Sequence, residues 1–87
     1  MKKVYTIYDK KALSYSPLLM VFDNRVSALR QFEQLCRSEG SLVNRYPDDF
    51  ALYCLGIFDE EKGKLFSYDV PEHILDASEY VIANLSK

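Results

Sequence analysis

The run of residues 50–58 constrains the fold of this chain more than any other feature, because it is apolar on both alternations of a strand. A strand with one solvated face shows polar residues at every second position, so this run is expected to be covered on both faces. In a chain of 87 residues, such a run is either the central strand of a small sheet or part of an interface between two copies. We expect one domain, 1–87.

The neighbouring segments predict three more strands. Residues 59–63 are typical of a hairpin loop, in which Gly63 supplies the positive φ, and residues 64–70 form the returning strand. Near the start of the chain, residues 3–8 are β-branched and aromatic and predict a first strand. Residues 18–22 follow Pro17 and predict a second strand, antiparallel to the first.

The clearest helix is expected over residues 25–39, with Asn24 as N-cap and Gly40 as terminator. Its apolar stripe repeats at three- and four-residue steps: Val26, Ala28, Leu29, Phe32, Leu35 and Cys36. Residues 41–49 are expected to be a loop, residues 72–76 a turn after Pro71, and residues 77–85 a short C-terminal helix. The order ββαββα predicts an α+β fold, with a small antiparallel sheet and one main helix packed on it.

The two cysteines, Cys36 and Cys54, are expected to be small buried hydrophobic residues, since both fall at apolar positions of predicted elements. The chain shows no secretory signal and no apolar run near the roughly 20 residues that span a bilayer. These features indicate a reducing compartment and no membrane association.

The residues that usually carry enzyme chemistry are sparse. With one histidine, His73, no site built on several histidines can form, and Cys36 has no supported base. The chain has three glycines, and none of them lies in a phosphate-binding loop. The acidic runs Asp48-Asp49 and Asp59-Glu60-Glu61 lack the alternate-residue spacing of a calcium loop. We therefore predict no catalytic residue, no metal and no cofactor.

The charge is distributed unevenly along the chain. Residues 1–45 carry a net charge of +4 and residues 46–87 a net charge of −6, which together give the overall −2. A basic face could bind phosphates, or two copies could meet head to tail. Unequal solvated faces without a function are an equally good explanation.

Basic and aromatic side chains alternate near the N-terminus. Basic side chains can neutralise phosphates, and aromatic rings can stack on unpaired nucleobases. Ordinary strand propensity and solubility explain the same pattern. The predicted nucleic-acid-binding residues are Lys2, Lys3, Tyr5, Tyr8, Lys10, Lys11 and Tyr15, with Arg25 and Arg30 on the exposed side of the main helix.

Two segments, MKKVYTIYDKKA (1–12) and YPDDFALYCLGIFD (46–59), resemble the small non-structural protein of gokushovirus-type microviruses, which are single-stranded DNA phages. The resemblance extends through ALRQF (28–32) and GK (63–64). It implies a protein of the host bacterial cytoplasm that is absent from the virion and acts in genome replication or packaging by contacting single-stranded DNA. We expect a homodimer. The alternative to DNA binding is a protein-interaction module that binds a phage replication or capsid protein, or a host factor, through exposed aromatic residues such as Tyr46 and Tyr53.

Overall fold

A computed structural model describes residues 1–85 of the chain. Within them, the strands are β1 (Lys2–Asp9), β2 (Ser14–Tyr15), β3 (Met20–Phe22), β4 (Phe50–Asp59) and β5 (Lys64–Asp76). The helices are α1 (Arg25–Arg37), α2 (Leu42–Arg45) and α3 (Ala77–Leu85), with a 3₁₀ turn at Pro47–Asp49. The predicted α+β fold is confirmed.

One curled antiparallel sheet contains all of these strands, in the order β2-β1-β4-β5. Strand β3 pairs with the first half of β1. Strand β2 pairs with the end of β1, on the same edge. The apolar run of residues 50–58 lies in β4, between β1 and β5. It is therefore the central strand, which explains why it is apolar on both alternations.

The helices cover one face of the sheet. All three contribute to a single buried cluster with the strand residues Tyr5, Leu52 and Cys54; the helical members are Ala28, Phe32, Cys36, Val43 and Ala77. Within residues 1–85, no helix contributes to the opposite face, which we call the helix-free face. No helix in the described part of the chain is long and apolar enough to cross a membrane.

The main helix begins where the sequence predicts. The Asn24 side chain accepts a hydrogen bond from the Ser27 backbone N–H at 3.0 Å, which is an N-cap. The helix ends at Arg37, and Gly40 adopts a φ of +88° three residues later. The prediction that Val26 belongs to the buried stripe is wrong. Its side chain is 56 % exposed.

Two predictions of local structure were wrong, the loop over residues 41–49 and the turn over residues 72–76, and one strand was missed. Residues 41–49 form α2 and the 3₁₀ turn, because Ser41 Oγ caps the Asn44 N–H at 3.0 Å. Residues 71–76 continue β5, where Pro71 is tolerated because β5 is an edge strand with a bulge at that point. The two-residue strand β2 was not predicted.

Both cysteines are buried and free, as predicted. Burial raises the pKa of the Cys36 thiol to about 11. A thiol with so high a pKa is almost wholly protonated near neutral pH and is a poor nucleophile.

Candidate nucleic-acid interface

Four aromatic rings meet on the helix-free face of the sheet. Tyr8 contacts Tyr15 with ring centroids 4.6 Å apart, and Tyr53 lies 5.7 Å from Tyr8 and 5.5 Å from Tyr15. His73 completes the group at 5.3 Å from Tyr53. We call these four residues the aromatic platform.

Strand alternation and register bring the rings together. In β1, Tyr5 and Ile7 point to the helix-covered core, so Thr6 and Tyr8 point to the helix-free face. Tyr8 lies opposite Tyr15 on β2, and Thr6 lies opposite Tyr53 on β4. Tyr8 and Tyr15 are directly opposite and close enough to touch, and Tyr53 is the diagonal neighbour of Tyr8 on the same face, which is still within reach of an aromatic ring.

The placement of His73 depends on a bulge. Leu52 of β4 lies opposite Leu75 of β5, but the next residue, Tyr53, lies opposite His73. The register between the two strands therefore shifts by one residue at this point. The extra residue on β5 is Ile74, which packs against the core. This shift sets His73 beside Tyr53 on the helix-free face, and bulges commonly redirect a side chain in this way.

Thr6 anchors the segment that follows β2. Its side chain is fully buried, and its hydroxyl points to the carbonyl oxygens of Ser16 and Leu18, at 2.9 Å and 3.3 Å. The Ser16 N–H donates to the Ile7 carbonyl at 2.8 Å. These bonds hold the chain beside β1 immediately after Tyr15 and so fix one side of the platform.

A short charge network borders the platform. His73 Nε2 lies 3.0 Å from Asp76 Oδ1, and Lys10 Nζ lies 3.0 Å from the same oxygen. Burial alone would raise the pKa of the Asp76 carboxyl, but the hydrogen bonds with His73 and Lys10 outweigh burial and lower it below its usual value. Asp76 is therefore ionised and orients both neighbouring side chains.

Lys11 stands one residue beyond Lys10 in the turn between β1 and β2. The Asp9 carboxylate accepts hydrogen bonds from the backbone N–H groups of Lys11 and Ala12, at 2.9 Å and 3.0 Å, and so fixes the turn. Lys11 is exposed, and no ion pair forms with its ammonium group among residues 1–85. It is available to an anionic ligand in a way that Lys10 is not.

The platform is partly open to solvent. Tyr15 is 40 % exposed, His73 is exposed, and Tyr8 and Tyr53 are half-buried. Burial, and then the proximity of Tyr53 and Tyr8, raises the pKa of the Tyr15 hydroxyl. The Tyr15 hydroxyl therefore stays neutral at physiological pH, and the three tyrosines offer ring surface for stacking and hydroxyl groups for hydrogen bonds.

Three nearby groups also satisfy the spacing of a metal site, but two of them are already paired with each other. The donor atoms of His73, Asp76 and Glu79 all lie within 4.8 Å of one another. The Lys10 ammonium neutralises Asp76, and His73 contacts the same carboxylate oxygen. These contacts account for the positions of His73 and Asp76 without a bound cation.

The predicted interface residues divide into separate groups. Tyr8, Lys10, Lys11 and Tyr15 lie together at the platform and its border. Tyr5 was wrongly predicted as a surface residue, because its side chain is fully buried in the core beside Phe22. A ring without solvent exposure cannot stack on a base.

The other basic residues predicted for the interface lie away from the platform. Lys2 and Lys3 stand at the opposite end of β1, and Lys2 Nζ pairs with Asp23 at 3.0 Å, which raises its pKa. Arg25 and Arg30 belong to α1 and so lie on the helix-covered side, where Arg25 pairs with Glu72 at 3.1 Å. The structure does not bring these four residues to the platform.

Sequence reasoning did not assign Tyr53 or His73 to this interface. Tyr53 was considered only as a contact for a protein partner, and His73 fell in a segment expected to be a turn. The alternation within β4 carried a signal, because Tyr53 lies between the core residues Leu52 and Cys54 and must point away from them. No sequence signal revealed the bulge that positions His73.

Comparison with known proteins gives the relationship of this chain. A family model described as phage ORF5 protein matches residues 2–80. Protein ORF5 of Chlamydia phage 1 is 33 % identical over 82 residues, an alignment that spans 90 % of this chain and 85 % of that protein. No solved structure matches. The resemblance to a small phage protein is therefore confirmed at the level of the family, and the chain belongs to the phage ORF5 protein family.

Proposed function

We propose that this protein binds single-stranded DNA on the aromatic platform, as a non-enzymatic accessory factor in phage genome replication or packaging in the host cytoplasm. The observation that carries the proposal is the cluster of Tyr8, Tyr15, Tyr53 and His73 on a sheet face without helices. In one common RNA-binding module, aromatic side chains on the face of a four-stranded sheet stack on two or three unpaired bases. Stacking tolerates any base, because every base has a π face.

The border of the platform supports the same ligand. Lys11 is exposed and forms no ion pair among residues 1–85, so a phosphate next to a stacked base has a cationic partner at the border of the platform. A duplex hides its base faces in its own stack, so the platform favours the single strand. The overall charge of −2 and the carboxylate of Asp76 limit the electrostatic contribution, so we expect micromolar affinity rather than tight coating.

Fluorescence anisotropy tests the proposal. A labelled oligonucleotide of about 16 nucleotides, the upper range for one small binding domain, is titrated at low and moderate salt. A duplex of equal length is the comparison. We expect salt-sensitive binding that favours the single strand.

Matched tyrosine variants localise the site. Tyr15→Ala removes a platform ring that is 40 % exposed, and Tyr46→Ala removes a ring that is 52 % exposed and lies between α2 and the 3₁₀ turn. We expect roughly a tenfold loss of affinity for the first, since a base–aromatic stack contributes about 1–3 kcal/mol, and no change for the second. Absence of binding at low salt, or equal losses for both variants, would overturn the proposal and favour a protein ligand.

A further inference from the structure

Two hairpin loops of the sheet are built in the same way. Residues 10–13 join β1 to β2, and residues 60–63 join β4 to β5, so each loop has four residues. Asp9 and Asp59 precede the loops. Each of these carboxylates accepts hydrogen bonds from the backbone N–H groups two and three residues ahead, at 2.9–3.3 Å. The chain therefore forms the same type of turn twice.

The fourth residue of each loop has a left-handed backbone conformation. Gly63 has a φ of +66° and Leu13 a φ of +55°. Glycine adopts this conformation without strain, whereas a side chain brings Cβ too close to a carbonyl oxygen. Among residues 1–85, Leu13 is the only residue other than glycine with a positive φ. The two loops therefore share a geometry, and only the first one places a strained side chain in it.

The side chain of Leu13 is also 76 % exposed. Single exposed leucines are ordinary on protein surfaces. Leu13 differs from them because its backbone is also strained, and because Gly63 completes the same turn without strain. The folded protein gains little from this side chain, so a contact outside the fold would give it a role.

The first loop places Leu13 between two residues of the proposed DNA site. Leu13 follows Lys11 by two positions and precedes Tyr15 by two, so its Cα lies within about 7 Å of the Cα of either residue. The ammonium group of Lys11 is available to a phosphate, and the ring of Tyr15 belongs to the platform. A nucleotide that bridges these two residues would pass over Leu13.

We propose that Leu13 packs against the nucleotide next to the bases stacked on the platform, so that the DNA strand leaves the platform across the turn between β1 and β2. Apolar side chains, leucine among them, pack against base steps in several classes of DNA-binding protein. The inference rests on the proposed DNA-binding function and extends its site by one apolar contact.

Three variants of Leu13 test this contact by anisotropy and thermal unfolding. Leu13→Gly relieves the backbone strain, so its melting temperature should rise by a few degrees. Its affinity for the single strand should fall roughly fivefold, the effect of covering about half of a leucine side chain. Leu13→Asn should lose a similar amount, because asparagine tolerates this conformation but is polar. Leu13→Met keeps an apolar side chain and should bind like the wild type.

Gly63→Leu is the matched control, because it places a leucine in the same conformation at the other loop. A Cβ at Gly63 would meet no atom within 4 Å, so the substitution fits sterically. That loop lies at the Lys2 end of β1, whereas Tyr8 lies near the other end. The control should therefore melt at a lower temperature than the wild type and bind DNA with unchanged affinity.

Wild-type affinity in both Leu13→Gly and Leu13→Asn would overturn this inference and leave the proposed function intact. A lower melting temperature for Leu13→Gly would also overturn it, since the side chain would then stabilise the fold. Equal losses of affinity in Leu13→Met and Leu13→Asn would show that apolar contact is not the cause. If the wild type bound no single strand, the proposed function itself would fail, and the Leu13 contact with it.

Discussion

The ring of His73 lies edge-on to the ring of Tyr53, with centroids 5.3 Å apart and an interplanar angle of 81°. Tyr53 also contacts Tyr8 and Tyr15, so it takes part in three of the four ring contacts of the platform. It is therefore the central residue of the platform and the position where substitutions are most informative.

Tyr53→Ala and Tyr53→Phe should have different effects on DNA binding. Stacking uses the ring, so the phenylalanine variant should retain nearly the wild-type affinity for a single strand. The alanine variant should lose about tenfold or more, since it removes a stacking surface and leaves its neighbours without support. Anisotropy measures both; equal losses would show that the hydroxyl group, not the ring, makes the contact.

Lys11→Ala should weaken the salt dependence of DNA binding. Each phosphate contact of a single strand contributes about 0.7 to the slope of log affinity against log salt. Lys11 is exposed beside the platform, so its loss should lower the slope by about that amount. Lys2→Ala is the matched control, because Lys2 pairs with Asp23 at the other end of β1. A reduced slope in the control would place the DNA along β1 instead.

Much of the fold could be predicted from the sequence, because local periodicity determines it. The start of α1, the hairpin at Gly63 and the central position of β4 each follow from a pattern within about fifteen residues. The course of β5 beyond Pro71 could not be predicted, because it depends on bulges that only the pairing with β4 creates.

The candidate site was only half predictable, for a related reason. Tyr5 and Tyr8 are three residues apart in one strand, so they must point to opposite faces, and alternation alone could have removed one of them. The contribution of Tyr53 depends on the register between β1 and β4, in which Thr6 lies opposite Tyr53. A register between strands more than forty residues apart in sequence is not encoded in any local pattern.

Tyr5→Phe should keep or increase stability. The Tyr5 hydroxyl is buried and has no hydrogen-bond partner among residues 1–85. Burial raises its pKa, although the nearby Arg25 guanidinium acts in the opposite direction. An unsatisfied buried hydroxyl costs about 1–3 kcal/mol, so its removal should raise the free energy of unfolding by about 1 kcal/mol.

Urea unfolding measures this change, with Tyr5→Ala as the comparison. Loss of the buried ring should cost about 3–5 kcal/mol, since it leaves a cavity in the core. If the phenylalanine variant were instead destabilised by 1 kcal/mol or more, the hydroxyl group would have a partner, and Arg25 would be the first residue to test.

Asp76→Asn should destabilise the protein at neutral pH and have little effect in acid. The pKa of Asp76 is lowered in the folded state, so its ionised form contributes stability above the unfolded pKa of about 3.9, and that contribution is lost as the pH falls through the folded pKa. We expect a loss of about 1 kcal/mol at pH 7 that shrinks below about pH 4.

Thermal unfolding across this pH range tests the expectation, with Asp69→Asn as the matched control. Asp69 is an exposed carboxylate on the same strand, and it forms no ion pair with any residue in 1–85. A difference between Asp76→Asn and wild type that persists unchanged in acid would mean that the amide disturbs packing, and that the ion pairs are not the cause.

Gly56→Ala should be the most damaging small substitution in the sheet. A Cβ at Gly56 would overlap the Phe66 carbonyl oxygen and lie 2.9 Å from the Ser67 Cα. Both are backbone atoms of the paired strand β5, so no side-chain rotation relieves the overlap. We expect a loss of 3 kcal/mol or more, a large share of the stability of a small domain.

Gly40→Ala provides the comparison for this substitution. Gly40 has a φ of +88° but open space around it, so alanine there should cost only the strain of that backbone conformation, about 1 kcal/mol. Urea midpoints of the two variants separate the two causes. Similar losses would mean that β5 moves away from β4 at little cost, so that the backbone overlap at Gly56 is relieved by a shift of the paired strand.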